Sequence, residues 1–112
     1  MTTFKGTDID GTIRQILDDA DKSAFTDPQL VVNINAGIRA VLRDVPASRF
    51  SNPVSFRDSA DITALADTIN LDIRWKDAVI HYAASRCFAD DDRHTNNLTR
   101  RDEELKQYEA VL

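Results

Sequence analysis

The sequence is short of the residues that usually carry recognisable chemistry. It has one cysteine, three glycines, three prolines, one tryptophan and two histidines. A single cysteine, Cys87, excludes an internal disulfide and leaves the redox compartment open. On the apolar side of a helix it is expected as a small buried residue. Three scattered glycines, Gly6, Gly11 and Gly37, cannot build a phosphate cradle, and neither Gly-x-Gly-x-x-Gly nor a P-loop is present. No serine lies in a Gly-x-Ser-x-Gly turn, and Cys87 has no obvious histidine partner. No apolar run approaches the roughly 20 residues that cross a bilayer. "MTTFKGTDIDGT" offers no basic stretch followed by an apolar one, so no signal peptide is expected.

Charge is also one-sided. The net charge of −5 argues against nonspecific nucleic-acid binding, which needs a basic face to displace counterions. No basic cluster suits an anionic membrane. Glutamate occurs only at Glu103, Glu104 and Glu109, whereas aspartate is spread along the chain. Aspartate favours helix caps and turns, and glutamate favours helix interiors. The pattern predicts several helices with acidic punctuation and one final helix with a solvated face. At 112 residues it is expected to form a single domain, 1–112, with one modest core.

The expected fold class is all-α: a small bundle of about four helices with a long loop or β-arm insertion. Ile9, Ile13, Ile16, Leu17 and Ala20 recur at helical spacing and predict a first helix from Thr7 or Asp8 to about Ala20. Asp27 is a natural cap for a second, with Pro28 at its first position. Leu30, Val31, Ile34, Ile38, Val41, Leu42 and Val45 then form its stripe, and Pro46 closes it. Gly37 lies mid-helix, which points to close approach by a neighbouring element. Residues 61–71 are either a short helix or an extended lead. Asp72 can cap a third helix with Trp75, Ala78, Val79, Tyr82, Ala83, Arg86 and Cys87 on one side. A turn at Ala89 to Thr95 leads to a last helix from about 96 to 112. Its inward residues are expected to be Leu98, Arg101, Leu105, Tyr108 and Val111 or Leu112. Asp102 with Lys106, and Arg100 with Glu104, can pair at i,i+4 on its outer face.

Residues 46–60, "PASRFSNPVSFRDSA", break the helical period. Phe50, Val54 and Phe56 are spaced for an extended chain, and two phenylalanines argue against a solvated linker. They either fold back as a lid or contact another subunit. Arg49 and Arg57 flank them, and arginine beside aromatics is the composition of interface anchors. Contact is the expected role.

Two acidic segments resemble metal sites. From Asp19, oxygen side chains fall at Asp19, Asp21, Ser23 and Asp27, the rhythm of an EF-hand loop. That loop needs glycine at its sixth position and a bidentate glutamate at its twelfth. Here those places hold Ala24 and Leu30, and Pro28 interrupts the chain path. The stretch is better read as a helix end, a turn anchored by Phe25, and a capped helix start. In "DDDRH", Asp90, Asp91, Asp92 and His94, with His81 on the preceding helix, could bind a metal or perform acid–base work. No His-Asp dipeptide accompanies them, as a helical metal-dependent phosphohydrolase would want. The aspartates fit a helix end and the next cap, and His81 a surface or half-buried place. No cofactor, no metal site, no catalytic residue and no enzyme activity are expected.

"FTDPQLVVNINAGIRAVLRDVP", Phe25 to Pro46, is an aromatic, a cap, a leucine, then an Asn-x-Gly-x-x-x-Val helix ending at proline. "INLDIRWKDAVIHYAASRCFADDDRHTNNLTRRDEELKQYEAVL", Ile69 to Leu112, is an extended lead, a helix, an acidic turn and a final helix with a tyrosine near its end. Together, over roughly four-fifths of the chain, this layout resembles the head–tail adaptor (connector) proteins of tailed bacteriophages. The family's turn aromatic is often tryptophan and an acidic residue commonly precedes the leucine, where this chain has Phe25 and Gln29. The resemblance implies a homo-oligomeric ring, usually of about twelve copies, docked under the portal in the virion. It further implies assembly in the host cytoplasm and a downstream tail or nozzle protein as second partner. DNA would pass through an acidic lumen without specific binding, and no membrane would be involved. The implied contact residues are Arg49, Phe50, Phe56 and Arg57 of the arm, with Tyr108 and Leu112 towards the portal. The alternative is a small acidic helical interaction module, regulatory or antitoxin-like.

One prediction follows from the counting alone. Calorimetry with calcium at millimolar concentration is expected to give no saturable heat, because Leu30 cannot supply the twelfth ligand. A micromolar isotherm would restore the EF-hand reading.

Overall fold

The computed structural model describes residues 2–17, 25–45, 62–69, 71–90 and 97–112. Four helices dominate them: α1 Asp10–Leu17, α2 Asp27–Asp44, α3 Lys76–Asp90 and α4 Asn97–Val111. A two-stranded antiparallel ribbon, β1 Phe4–Lys5 and β2 Thr68–Ile69, pairs Phe4 with Ile69 and Lys5 with Thr68. The expected all-α class holds, with the ribbon as a small addition. Residues 46–60, expected as a loop or arm, lie outside the described residues; of the turn expected at Ala89 to Thr95, Ala89 and Asp90 belong instead to α3 and the rest lies outside the described residues.

The first helix starts later than its apolar spacing suggested. Gly6–Asp8 form a 3-10 turn, and the Asp8 carboxylate accepts the Lys5 N–H at 2.8 Å. That closes one turn before α1 begins at Asp10. Ile9, Ile13 and Leu17 are buried as the stripe requires, and Ile16 packs at its edge. Ala20 lies outside the described residues.

The start of α2 corrects the expected cap. The capping residue is Thr26, not Asp27. Its hydroxyl accepts the Gln29 N–H at 3.4 Å while Gln29 Oε1 accepts the Thr26 N–H at 2.8 Å, a reciprocal capping box. Asp27 becomes the first helical residue and Pro28 the second. The Asp27 carboxylate serves another purpose. Arg14, only 4 % exposed, donates to it at 2.9 Å and to the Phe25 carbonyl at 2.9 Å. Arg14 therefore ties α1 to the entry of α2. Phe25 and Leu30 flank the cap and are both buried, the arrangement of a hydrophobic staple.

Residues 62–69 resolve the choice between helix and extended lead. Asp67 Oδ2 accepts the Thr63 N–H, the Thr63 hydroxyl and the Ala64 N–H at 2.8–3.0 Å, closing a turn that feeds β2. Asn35 on α2 holds this segment as a backbone strand would. Its amide donates to the Ile62 carbonyl at 2.9 Å and accepts the Ile62 N–H at 2.8 Å. Asp72 caps a 3-10 turn, Ile73–Trp75, which leads into α3.

Helix α3 is the centre of the bundle and packs against α1, α2 and α4. Its buried residues are Ala78, Val79, Ile80, Ala83, Ala84, Ser85, Cys87 and Phe88, more than one face of a helix. A helix buried most of the way round has no single stripe. This is why Ile80, Ala84 and Phe88 fell outside the expected side. Arg86, expected with the apolar residues, is exposed. Trp75 is buried, as its spacing required. Cys87 is fully buried and its sulfur accepts a hydrogen bond from Asn33 of α2 at 3.1 Å.

Helices α2 and α3 meet where Gly37 faces Val79. A Cβ at Gly37 would stand 3.0 Å from the Val79 carbonyl oxygen and 3.4 Å from its Cα. Both atoms are helix backbone, which cannot swing aside. A Cβ at Gly11 would meet nothing within 4 Å. The same substitution is therefore expected to act in opposite directions at the two glycines. Gly11→Ala gains helix propensity and stabilises by about 0.5–1 kcal/mol. Gly37→Ala gains the same propensity but forces the helices apart, and destabilises by about 1–2 kcal/mol net. Urea unfolding midpoints of the two variants check both signs.

Candidate interaction surface

The last helix is attached differently from the others. Among its described residues only Asn97 and Tyr108 are buried. Polar side chains on one of its faces, at i, i+4 and i+8, each reach a different helix. Arg100 donates to the Ile16 carbonyl of α1 at 3.1 Å and stands 4.4 Å from the centre of the Phe88 ring. Glu104 meets His81 Nδ1 of α3 at 2.6 Å. Tyr108 donates its hydroxyl to Asp44 at the end of α2, at 2.7 Å. The i,i+4 pairing of Arg100 with Glu104 expected from sequence is replaced by these contacts. Asp102, expected with Lys106, accepts from Arg101 at 3.0 Å. His81 is half-buried, as its neighbours suggested, and its ring serves packing between α3 and α4.

Asp44 is the most connected of these groups. Its carboxylate takes a two-point contact from Arg43, at 2.8 and 2.9 Å, as well as the Tyr108 hydroxyl. The Tyr108 ring meets Tyr82 edge-on, with centroids 5.1 Å apart. The Arg43 guanidinium holds the Asp44 carboxyl below the usual carboxylate range; partial desolvation opposes this and the Tyr108 hydrogen bond adds to it. Burial pushes the Tyr108 hydroxyl above its ordinary range, and the Asp44 carboxylate pushes it further.

The outer faces of α2 and α4 remain in solvent. Val32 on α2 is 66 % exposed and Leu98 on α4 is 60 % exposed. Leu98 was expected inward and is exposed, because the polar contacts at Arg100, Glu104 and Tyr108 set the rotation of α4 about its axis; of the expected alternatives Val111 and Leu112, Leu112 packs against the core and Val111 is exposed. Leu105 is half-buried two turns along from Leu98, and Leu112 is half-buried against the core. For Val32 the signal was its absence from the α2 stripe of Leu30, Val31, Ile34 and Ile38 at helical spacing.

Of the residues expected to contact partners, Arg49, Phe50, Phe56 and Arg57 lie outside the described residues. Tyr108 is 3 % exposed, so it offers almost no surface while α4 is in place. Leu112 is half-buried and packs against the core. Among the described residues no group of three or more His, Cys, Asp or Glu side chains is placed to hold a metal ion, and no helix is long and apolar enough to cross a membrane. Asp19, Asp21, Ser23, Asp91, Asp92 and His94 lie outside the described residues. No family model, curated protein or solved structure matches the chain.

The Asp44 cluster makes stability depend on pH in a stated direction. A carboxyl held low in the fold contributes stability above its unfolded value, about 3.9, and loses that contribution as pH falls through the folded value. Tyr108, held high, contributes below about 10 and loses its contribution as pH rises beyond that. Thermal midpoints of the wild type and Asp44→Asn are expected to differ at pH 7 and to converge towards pH 3. A difference that stays constant over that range would remove Asp44 from the linkage.

Proposed function

We propose that the chain is a structural assembly protein, a head–tail adaptor that forms a ring beneath a phage portal and links it to the tail. The carrying observation is the pair of helical faces left in solvent, one bearing Val32 and the other Leu98, on a bundle whose core is otherwise closed. A partner seated on either face would cover these exposed apolar side chains. The order of elements supports the same reading: an aromatic-led, capped α2 containing Asn35 and Gly37, a short extended lead, α3, and a final α4. An acidic protein also suits a channel through which DNA must slide without binding. In this reading the arm at 46–60 reaches a neighbouring copy, the portal or the next tail protein. The chemistry is that of contact surfaces, with no reaction at any residue.

The exposed Leu98 on α4 also fits a small interaction module with a single helical partner. Copy number in the bound state separates the two readings. The test is co-expression with the portal protein of the genome that encodes the chain, followed by electron microscopy. A ring of copies on the portal is expected. Phe50→Ser with Phe56→Ser is expected to leave the helical circular-dichroism signal unchanged and to abolish incorporation. A bare portal, or a genome without one, would overturn the proposal.

A further inference from the structure

Helix α4 adds little to the core. Among the described residues, the large side chains that are fully buried, such as Ile13, Leu30, Ile34, Val41 and Val79, come from α1, α2, α3 and the segments beside them, and none comes from α4. Of the buried core α4 supplies Tyr108 alone, with Leu112, just past its end, packed against it. What holds the helix is the row Arg100, Glu104 and Tyr108, set against the Ile16 carbonyl and the Phe88 ring, His81, and Asp44. Two aromatic rings of α3 lie under that row: Phe88, buried below Arg100, and Tyr82, half-buried against Tyr108.

We propose that α4 is a latch, which opens as a unit while α1, α2 and α3 stay packed, and which when closed keeps the Tyr82 and Phe88 face of α3 covered. Opening removes one buried side chain of α4 from the core, so the hydrophobic resistance to it is small. The polar contacts of the row are exchanged for contacts with water, which makes the net loss at each one small. Opening also strands no buried charge. Asp44 keeps both contacts from Arg43 when Tyr108 leaves, and His81, Arg100 and Glu104, half-buried in the closed form, pass into solvent. The contacts that join α2 to α3 involve no residue of α4: the backbone approach at Gly37 and Val79, and the Asn33 bond to Cys87. The latch belongs to the isolated chain and is independent of the adaptor reading.

The test is native-state hydrogen exchange of the full chain, read by mass spectrometry at increasing urea, with thiol labelling as the control. Cys87 is the only cysteine, and its buried sulfur lies against Asn33 of α2, so its labelling reports opening between α2 and α3. Amides of α4 are expected to exchange through an opening with a weaker urea dependence than those of α2, because less surface is exposed. Tyr108→Phe keeps the ring against Tyr82 and removes the hydroxyl bond to Asp44. It is expected to speed exchange in α4 about fivefold, the effect of one hydrogen bond, and to leave α2 exchange and Cys87 labelling at wild-type rates. Equal urea dependence in α4 and α2, or a variant that speeds α4, α2 and Cys87 alike, would mean that α4 opens only with the whole bundle and would overturn the latch. An α4 exchange rate unmoved by Tyr108→Phe would overturn it as well.

Discussion

The close approach of α2 to α3 at Gly37 is the constraint on which the rest of the bundle depends. With no Cβ at that position, the α2 backbone comes within contact of the Val79 carbonyl. The same proximity lets Asn33 reach the buried sulfur of Cys87, so a polar amide sits inside the core with a partner. It also sets Asn35 where it can hold both backbone groups of Ile62. Through Ile62 the turn at 63–67, β2 and, across the ribbon, β1 all acquire their positions. One missing side chain on α2 thus fixes the placement of the N-terminal segment and the lead into α3.

Helix α4 follows different physics. Apart from the Asn33–Cys87 hydrogen bond, the interface of α2 with α3 is mainly apolar, and its strength comes from area removed from water. The attachment of α4 relies on single polar contacts to α1, α3 and α2, made by Arg100, Glu104 and Tyr108. Hydrogen bonds of this kind contribute on the order of 1 kcal/mol each, because water competes for the same groups. What they supply is direction: three contacts at i, i+4 and i+8 leave one rotation of the helix that satisfies all of them. That rotation turns Leu98 outward. The exposure of Leu98 is therefore a consequence of how the polar face of α4 is used.

A bundle of this size has few ways to present large contact surfaces. Its core takes the inward faces of all four helices, and what remains in solvent is the outside of the three that surround α3. In the proposed assembly residues 46–60 reach a neighbouring copy, the portal or the next tail protein. In that assembly the net negative charge would let DNA move past without binding.

Much of this was legible in the residues. Pro28 and the apolar spacing placed α2, Asp72 marked the entry to α3, and a glycine inside a strong helical pattern announced a close neighbour. Such features are local: caps, prolines and 3.6-residue periods act within one or two turns of chain. The sequence alone therefore determined an acidic, mainly helical chain and the approximate bounds of its helices. Tertiary structure decided what depends on distant partners. Asp27 is not the cap of α2 because Arg14, thirteen residues earlier, takes its carboxylate and leaves Thr26 and Gln29 to close the turn. Residues 4–5 and 68–69 are strands only because they pair with each other. Helix α3 is buried most of the way round because three helices surround it, and Leu98 faces solvent because contacts to three other helices rotate α4. Each of these outcomes is set by groups far apart in sequence, where local periodicity carries no information.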